Sequence, residues 1–294
     1  MAREFGYYPG CALHGSSSEY GLSVSAVFKE LGVELKEIKD WNCCGASSAH
    51  MLNAKLPVAL NARNLALAAE QGITEIVAPC PLCSEGMLGA MKKIAESKKT
   101  RADIERIIGR KLSGDIKVLN IVQAIDLTRD LWEPRVKDKK SPIKAACYYG
   151  CLLVRPPDIV EFDEAEDPKS IETLVKEFGF EPVNWEFRTE CCGGGFTVSN
   201  AEDVATLVGR IYEDAMLHGA DCIVAVCPMC LANLEMRAGE ASRKFGRKFE
   251  LPIVYLTDLL GMAIGMKPSD YGLDKHLSNT HKLLEVSQLS EPRP

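Results

Sequence analysis

The sequence has no apolar run approaching the ~20 residues of a bilayer-spanning helix, so a direct membrane span is not expected. Its first residues, Met1-Ala2-Arg3-Glu4-Phe5, lack the apolar core of a secretory signal. Basic charge is not in excess: 35 Lys+Arg stand against 41 Asp+Glu, and the net charge of −6 gives no footprint for nucleic acid. A dinucleotide loop is also missing, because Gly193-Gly194-Gly195 is not followed by the spacing such a loop needs. No flavin or nicotinamide site is therefore expected, and any electrons have to be delivered by another protein. These absences place the chain in the cytoplasm, where glutathione and thioredoxin keep thiols reduced.

What the sequence does have is cysteine, twelve residues of it. In a reducing compartment that number points to metal or redox work rather than to a disulfide framework. Ten of the twelve fall into one frame used twice. The first is Cys11, Cys43, Cys44, Cys80 and Cys83, with 31 residues between Cys11 and Cys43 and 35 between Cys44 and Cys80. The second is Cys151, Cys191, Cys192, Cys227 and Cys230, with intervals of 39 and 34. Each frame contains Cys-Cys-Gly and ends in Cys-Pro-x-Cys.

The repeat extends beyond the cysteines. Tyr7-Tyr8-Pro9-Gly10-Cys11 answers Tyr148-Tyr149-Gly150-Cys151, and Ile76-Val77-Ala78 answers Ile223-Val224-Ala225. Residues 118–122 resemble residues 253–257 in the same way. At 294 residues the chain accommodates two such units. We expect a first domain over residues 1–133, a polar linker bounded by Pro134 and Pro142, a second domain over 143–264, and a loosely held or partner-docking extension over 265–294. Within each unit, short apolar runs alternate with stretches of helical periodicity. Helices are predicted over 18–31, 56–70, 169–178, 201–217 and 228–243, with another starting at Cys80. Strands are predicted near 6–8, 33–35, 75–78, 143–147, 181–185 and 222–226. This alternation implies an α/β fold of two pseudo-symmetric units, each with a small, mostly parallel sheet flanked by helices. Cys11, Cys80, Cys151 and Cys227 then follow directly on strands, at the sheet edge where ligands bind.

The residue types narrow the chemistry. Neighbouring cysteines in an extended segment point in different directions. Two such sulfurs reach two metal atoms of a cluster more readily than two corners of one zinc site. Cys80 and Cys227 stand at N-cap positions, with Pro81 and Pro228 preorganised at the first helical position. A thiolate there is stabilised by the helix start. Structural zinc takes four ligands, and so does a cubane iron–sulfur cluster. Five cysteines leave one idle in each unit or point to an unusual cluster, and recurrence of the surplus favours the cluster.

The doubled Cys-Cys-Gly frame, from residue 5 to about 262, resembles the CCG-domain iron–sulfur family, most of all the B subunits of heterodisulfide reductases. Trp41 and Gly45 around the first pair give it a bacterial look. The resemblance implies two non-cubane [4Fe-4S] clusters, one on each set of five cysteines, with a disulfide cleaved between them by one-electron steps. It also implies a ferredoxin-like iron–sulfur subunit and a flavin-containing subunit as partners. Two other readings stand beside it: an electron-relay subunit without a substrate of its own, and zinc or a cubane cluster in one repeat. His14 and His50, close in sequence to Cys11 and Cys44, are candidate proton donors to a departing thiolate, against a plain reading as loop histidines. Cys147 and Cys222 lie outside the frames on predicted strands and are read as core. Residues 92–101 read as a solvated basic helix face and 158–167 as an acidic loop. His218 reads as a cation at a helix C-terminus.

Overall fold

The structure is a computed structural model that describes residues 3–46, 49–112 and 115–286. It contains two four-stranded sheets, both wholly parallel. The first comprises β1 (Glu4–Tyr7), β2 (Glu34–Glu37), β3 (Glu75–Val77) and β4 (Lys117–Leu119), in the order β2-β1-β3-β4. The second comprises β5 (Lys144–Tyr148), β6 (Glu181–Pro182), β7 (Cys222–Ala225) and β8 (Ile253–Tyr255), in the order β6-β5-β7-β8. The two orders are the same, as duplication of one unit requires. In register, Tyr7 faces Val77 and Val77 faces Leu119, while Tyr148 faces Ala225 and Ala225 faces Tyr255. Parallel pairing needs a long crossover between strands, and the intervening helices supply it. β6 covers two residues where sequence predicts five, because Pro182 has no N–H to extend the ladder.

Strand order fixes where a ligand can sit. The chain leaves β1 for β2 on one side, then returns to β3 on the other. The crevice at the carboxyl ends of β1 and β3 is thus a topological switch point, and the ends of β5 and β7 form its duplicate. Helices close the crevice: Pro81–Glu96 follows β3 and Pro228–Phe245 follows β7, each with proline in its first turn and a cysteine at the N-cap.

The two units share one core, which runs from Phe5, Val24 and Phe28 of the first to Ile223, Leu259 and Leu260 of the second. The Ser18–Glu30 helix lies on the junction. From it, the Tyr20 ring stacks on Tyr255 at 3.8 Å, and the Tyr20 hydroxyl donates to the Val226 carbonyl at 3.1 Å. Ser23 hydrogen-bonds Thr257 Oγ1 at 2.7 Å and Asp258 Oδ1 at 2.6 Å.

The expected polar linker begins inside a helix, Arg129–Val136, which contains Pro134. Arg135 holds that segment to Glu30 at 2.7 Å and to the Ile264 carbonyl at 3.2 Å, so it packs against both units. The expected loose extension is also packed as far as it is described. Tyr271, Leu273, Thr280 and Leu283 are buried, and His276 lies in the interior between Asp258 (3.0 Å) and Glu235 (3.7 Å). Its apolar residues are too sparse to give a periodic signal, yet they pack against both units, the Pro268–Tyr271 turn lying on the Ser18–Glu30 helix of the first. Residues 287–294 lie outside the described part. Basic residues 92–101 and the acidic loop meet at one point, where Lys92 Nζ pairs with Asp158 Oδ2 at 2.6 Å. His218 caps its helix from Nδ1 to the Asp214 carbonyl at 2.9 Å.

Candidate metal centre

Every sulfur of the two frames reaches a switch point, and the two sites repeat each other in their pairings. In the first, Cys43 Sγ lies 3.7 Å from Cys11 Sγ, and Cys44 Sγ 3.3 Å from Cys83 Sγ. In the second, Cys151 pairs with Cys191, and Cys192 Sγ lies 3.6 Å from Cys230 Sγ. The adjacent cysteines do point apart: Cys43 and Cys191 are exposed, whereas Cys44 and Cys192 are buried. The remaining member of each frame joins the sites together. Cys80 touches Cys83 of its own set and Cys227 of the other, and Cys227 in turn touches Cys230.

Local backbone accounts for this placement. Gly45 and Gly193 adopt φ of 76° and 78°, a left-handed turn that an L side chain resists. That turn aims the Gly45 N–H at Cys43 Sγ (3.4 Å) and the Gly193 N–H at Cys191 Sγ (3.3 Å). Gly10 and Gly150, also left-handed, make room for the opposite wall, since a Cβ there would stand 3.1 Å from Cys83 Sγ and 3.2 Å from Cys230 Sγ. A tyrosine behind each turn holds its start: Tyr8 donates to the Asn42 carbonyl at 2.8 Å, and Tyr148 to the Glu190 carbonyl at 2.6 Å. An asparagine holds its end. Asn61 Nδ2 donates to the Cys44 carbonyl at 3.0 Å, and Asn233 Nδ2 to the Cys192 carbonyl at 2.7 Å. The two carboxamides come from different helices, Asn61 from Leu56–Glu70 and Asn233 from Pro228–Phe245. Sequence matching of the halves therefore misses them as a pair. The tyrosines and the glycines before Cys11 and Cys151 belong to the matched motifs, but their roles depend on contacts across the fold.

Electrostatics favour thiolates at several of these positions. The Cys83 thiol beside Cys44 holds the latter below the ordinary thiol range despite burial, and the Ala46 N–H assists. Cys230 does the same for Cys192, with help from the Gly194 N–H and Asn233. The Cys151 thiol brings Cys191 down to about 6. Cys80 is lowered first by Cys227 and then by Cys83, and it also faces the N–H groups of its helix start. Their partners carry the protons: Cys11 is pushed up to about 11 by burial and by Cys43, and Cys83 and Cys230 rise through contact with Cys44 and Cys192. Such a set loses further protons when a metal cluster takes its place among the sulfurs, since the thiolate is the ligand form. Among the described residues no group of three or more His, Cys, Asp or Glu converges on a single ion position. The sulfurs pair off around a crevice.

The histidines separate. His14 packs edge-on to Trp41 at 5.5 Å and faces Glu37 at 3.4 Å. His50 lines a cleft with Cys44, Asn61, Glu85 and Lys93. Cys147 and Cys222 are fully buried in β5 and β7, and burial pushes both thiols up.

Fold and site together define a duplicated α/β protein with two five-cysteine centres meeting at the repeat junction. The chain belongs to the CCG cysteine-rich domain family, which matches it over residues 5–88 and 145–235. A similar protein is the 8-methylmenaquinol:fumarate reductase membrane anchor subunit of Wolinella succinogenes, 30% identical over 96% of this chain and 100% of the relative. Another is the B subunit of the ferredoxin/F420H2-dependent CoB-CoM heterodisulfide reductase of Methanosarcina acetivorans, 25% identical over 96% of this chain and 97% of the relative. Among solved structures, a hypothetical protein from Helicobacter pylori superposes with a TM-score of 0.71 at 14% identity, over 95% of this chain and 52% of its own, and shares the fold.

Proposed function

We propose that this chain is the iron–sulfur subunit of a heterodisulfide reductase-like complex and reduces a disulfide to two thiols. The carrying observation is the identical pairing of five sulfurs in both repeats, joined through Cys80 and Cys227. Two non-cubane [4Fe-4S] clusters would be held, one by Cys11, Cys43, Cys44, Cys80 and Cys83, the other by Cys151, Cys191, Cys192, Cys227 and Cys230. When bound, the clusters supply electrons one at a time, and each disulfide takes up two electrons and two protons. The protein's own part is to hold the sulfurs, keep the inner ones dry and bring protons near. His50, in the cleft beside Cys44, is the better placed of the two candidate donors. Relatives named as subunits of heterodisulfide reductases support the reading.

Partner subunits, a ferredoxin-like protein and a flavoprotein, would deliver the electrons. Exposed apolar residues suit docking near the outer cysteines: Met51 and Leu52 follow the first Cys-Cys-Gly turn, and Phe196 and Val198 follow the second. No helix among the described residues is long and apolar enough to cross a membrane. The twelve cysteines, read as reduced thiols, assign the chain to the cytoplasm. One observation favours a second reading: the relative at 30% identity is named as a membrane anchor subunit of a fumarate reductase. On that reading the chain relays electrons and has no disulfide substrate.

Anaerobic purification followed by iron and sulfide analysis tests the centre. About eight irons per chain are expected for two four-iron clusters; about four irons with zinc would reject the paired assignment. Release of thiol from a small disulfide by the reduced protein then separates catalysis from relay. Reduced clusters that no disulfide reoxidises would sink the reductase reading.

A further inference from the structure

The carboxamides that hold the two Cys-Cys-Gly turns change helices between the repeats, and the change is reciprocal. Leu60 and Leu207 mark equivalent positions, since a Cβ at Gly45 would stand 2.7 Å from Leu60 Cδ1 and one at Gly193 would stand 2.9 Å from Leu207 Cδ1. Asn61 therefore corresponds to Val208, which is buried. Counted from Cys83 and Cys230, Gly86 corresponds to Asn233. Each repeat thus has one asparagine and, at the other position, a residue whose side chain cannot donate. Gly86 also leaves room for the amide, as a Cβ there would stand 3.2 Å from Asn61 Nδ2.

The exchange alters what the amide reaches. Both asparagines are buried, and among the described residues neither Oδ1 has a partner. A buried acceptor left unpaired costs stability, so it is the NH2 group that the fold retains. That group has two hydrogens to give. Asn61 spends both on carbonyls, that of Cys44 at 3.0 Å and that of Pro57, one turn back on its own helix, at 2.9 Å. Asn233 gives one to the Cys192 carbonyl at 2.7 Å and turns the other on the Cys192 sulfur. The backbone donors are matched. Gly45 and Gly193 serve the outer sulfurs Cys43 and Cys191, while Ala46 and Gly194 serve the inner ones, Cys44 and Cys192. The carboxamide therefore adds a hydrogen bond to sulfur in the second centre and none in the first.

We infer that Asn233 is a positioning residue that raises the reduction potential of the second centre through its bond to the Cys192 sulfur, and makes that centre the first to accept an electron. A donor on a ligand sulfur stabilises the negative charge added on reduction. The inference rests on the reading of two iron–sulfur clusters, and it gives them an order that the duplicated cysteines do not.

The test is a potentiometric titration with dithionite, followed by paramagnetic resonance, on chains whose iron content has been measured. Two one-electron waves of unequal potential are expected in the natural protein. Val208→Asn combined with Asn233→Gly gives the second repeat the arrangement of the first, so the Cys192 carbonyl stays held while the sulfur loses its donor. The higher wave alone should fall, by about tenfold in the reduction equilibrium or about 59 mV for one electron. Asn61→Val combined with Gly86→Asn makes the converse exchange and should raise the lower wave by a similar amount. Unmoved waves at about eight irons in the first exchange would overturn the inference and leave the clusters standing. Loss of iron from the second repeat in that exchange would overturn it too, because Asn233 would then hold the centre rather than tune it. A natural chain that carries zinc in place of iron rejects the cluster reading itself.

Discussion

Gly193 shows how much of each centre depends on a single backbone choice. Its φ of 78° places the N–H on Cys191 Sγ, and a Cβ there would stand 2.9 Å from Leu207 Cδ1 and 3.2 Å from Val204 Cγ2. Alanine would meet left-handed strain of about 1 kcal/mol and a clash on the same atom. Gly193→Ala should therefore lower the iron bound in the second repeat, leaving about half of the total, while far-ultraviolet dichroism stays unchanged. Full iron content in that variant would show that the turn tolerates other geometries. The cysteines and this glycine were legible in the sequence because the repeat prints Cys-Cys-Gly and Cys-Pro-x-Cys twice, at intervals of 35 and 34 residues between them. Asn61 and Asn233 were not, since they do the same work from non-equivalent helices. A residue's partner across the fold is a property of packing, which spacing along the chain does not carry.

Among the elements, helices with strong apolar periodicity were the most legible. Leu56–Glu70 and Ala201–Leu217 begin and end where the sequence puts them, because one apolar face of each is buried over its whole length. Strand β6 and the segment after residue 265 were not, for tertiary contacts decide both. His276 is the anchor of that last segment. Burial alone would lower its pKa, but hydrogen bonding to Asp258 and the nearby Glu235 charge overcome this and raise it from 6.5 to about 10. The raised folded-state value gives a sign. Below pH 6.5 the folded and unfolded chains are both protonated at this site and its stabilisation is complete. Between pH 6.5 and about 10 the unfolded chain releases the proton first, so stability from this site falls as pH rises. Thermal unfolding midpoints should decline across that window in the natural protein. In His276→Gln they should start lower, by the equivalent of about 3 kcal/mol for a broken buried pair, and decline less steeply. A variant with the same slope as the natural protein would place the pH dependence elsewhere.

For the whole molecule, duplication explains more than symmetry. Two α/β units could sit side by side with their switch points apart. Here the Ser18–Glu30 helix and the Leu256–Ala263 helix interlock, and the carboxyl ends of β3 and β7 are brought together until Cys80 meets Cys227. Tyr20, buried beneath both, fixes the junction by its bond to the carbonyl preceding Cys227. The two units and their ten sulfurs could be counted from sequence, and the resemblance put a substrate between the centres, but the contacts that set them face to face could not be read, because they join residues more than two hundred positions apart, such as Tyr20 with Val226. On the proposed reading, the inner cysteines belong to both centres in effect, while the outer ones belong to one. Cys80→Ser should then change the paramagnetic resonance spectrum of the reduced second cluster as well as the first, and Cys227→Ser should do the converse. Cys43→Ser, at an exposed position paired with Cys11, should alter the first alone. If Cys80→Ser leaves the second repeat's spectrum untouched, the centres work independently. The contact between Cys80 and Cys227 would then be a packing consequence of the duplicated fold, without a part in passing two electrons to one substrate.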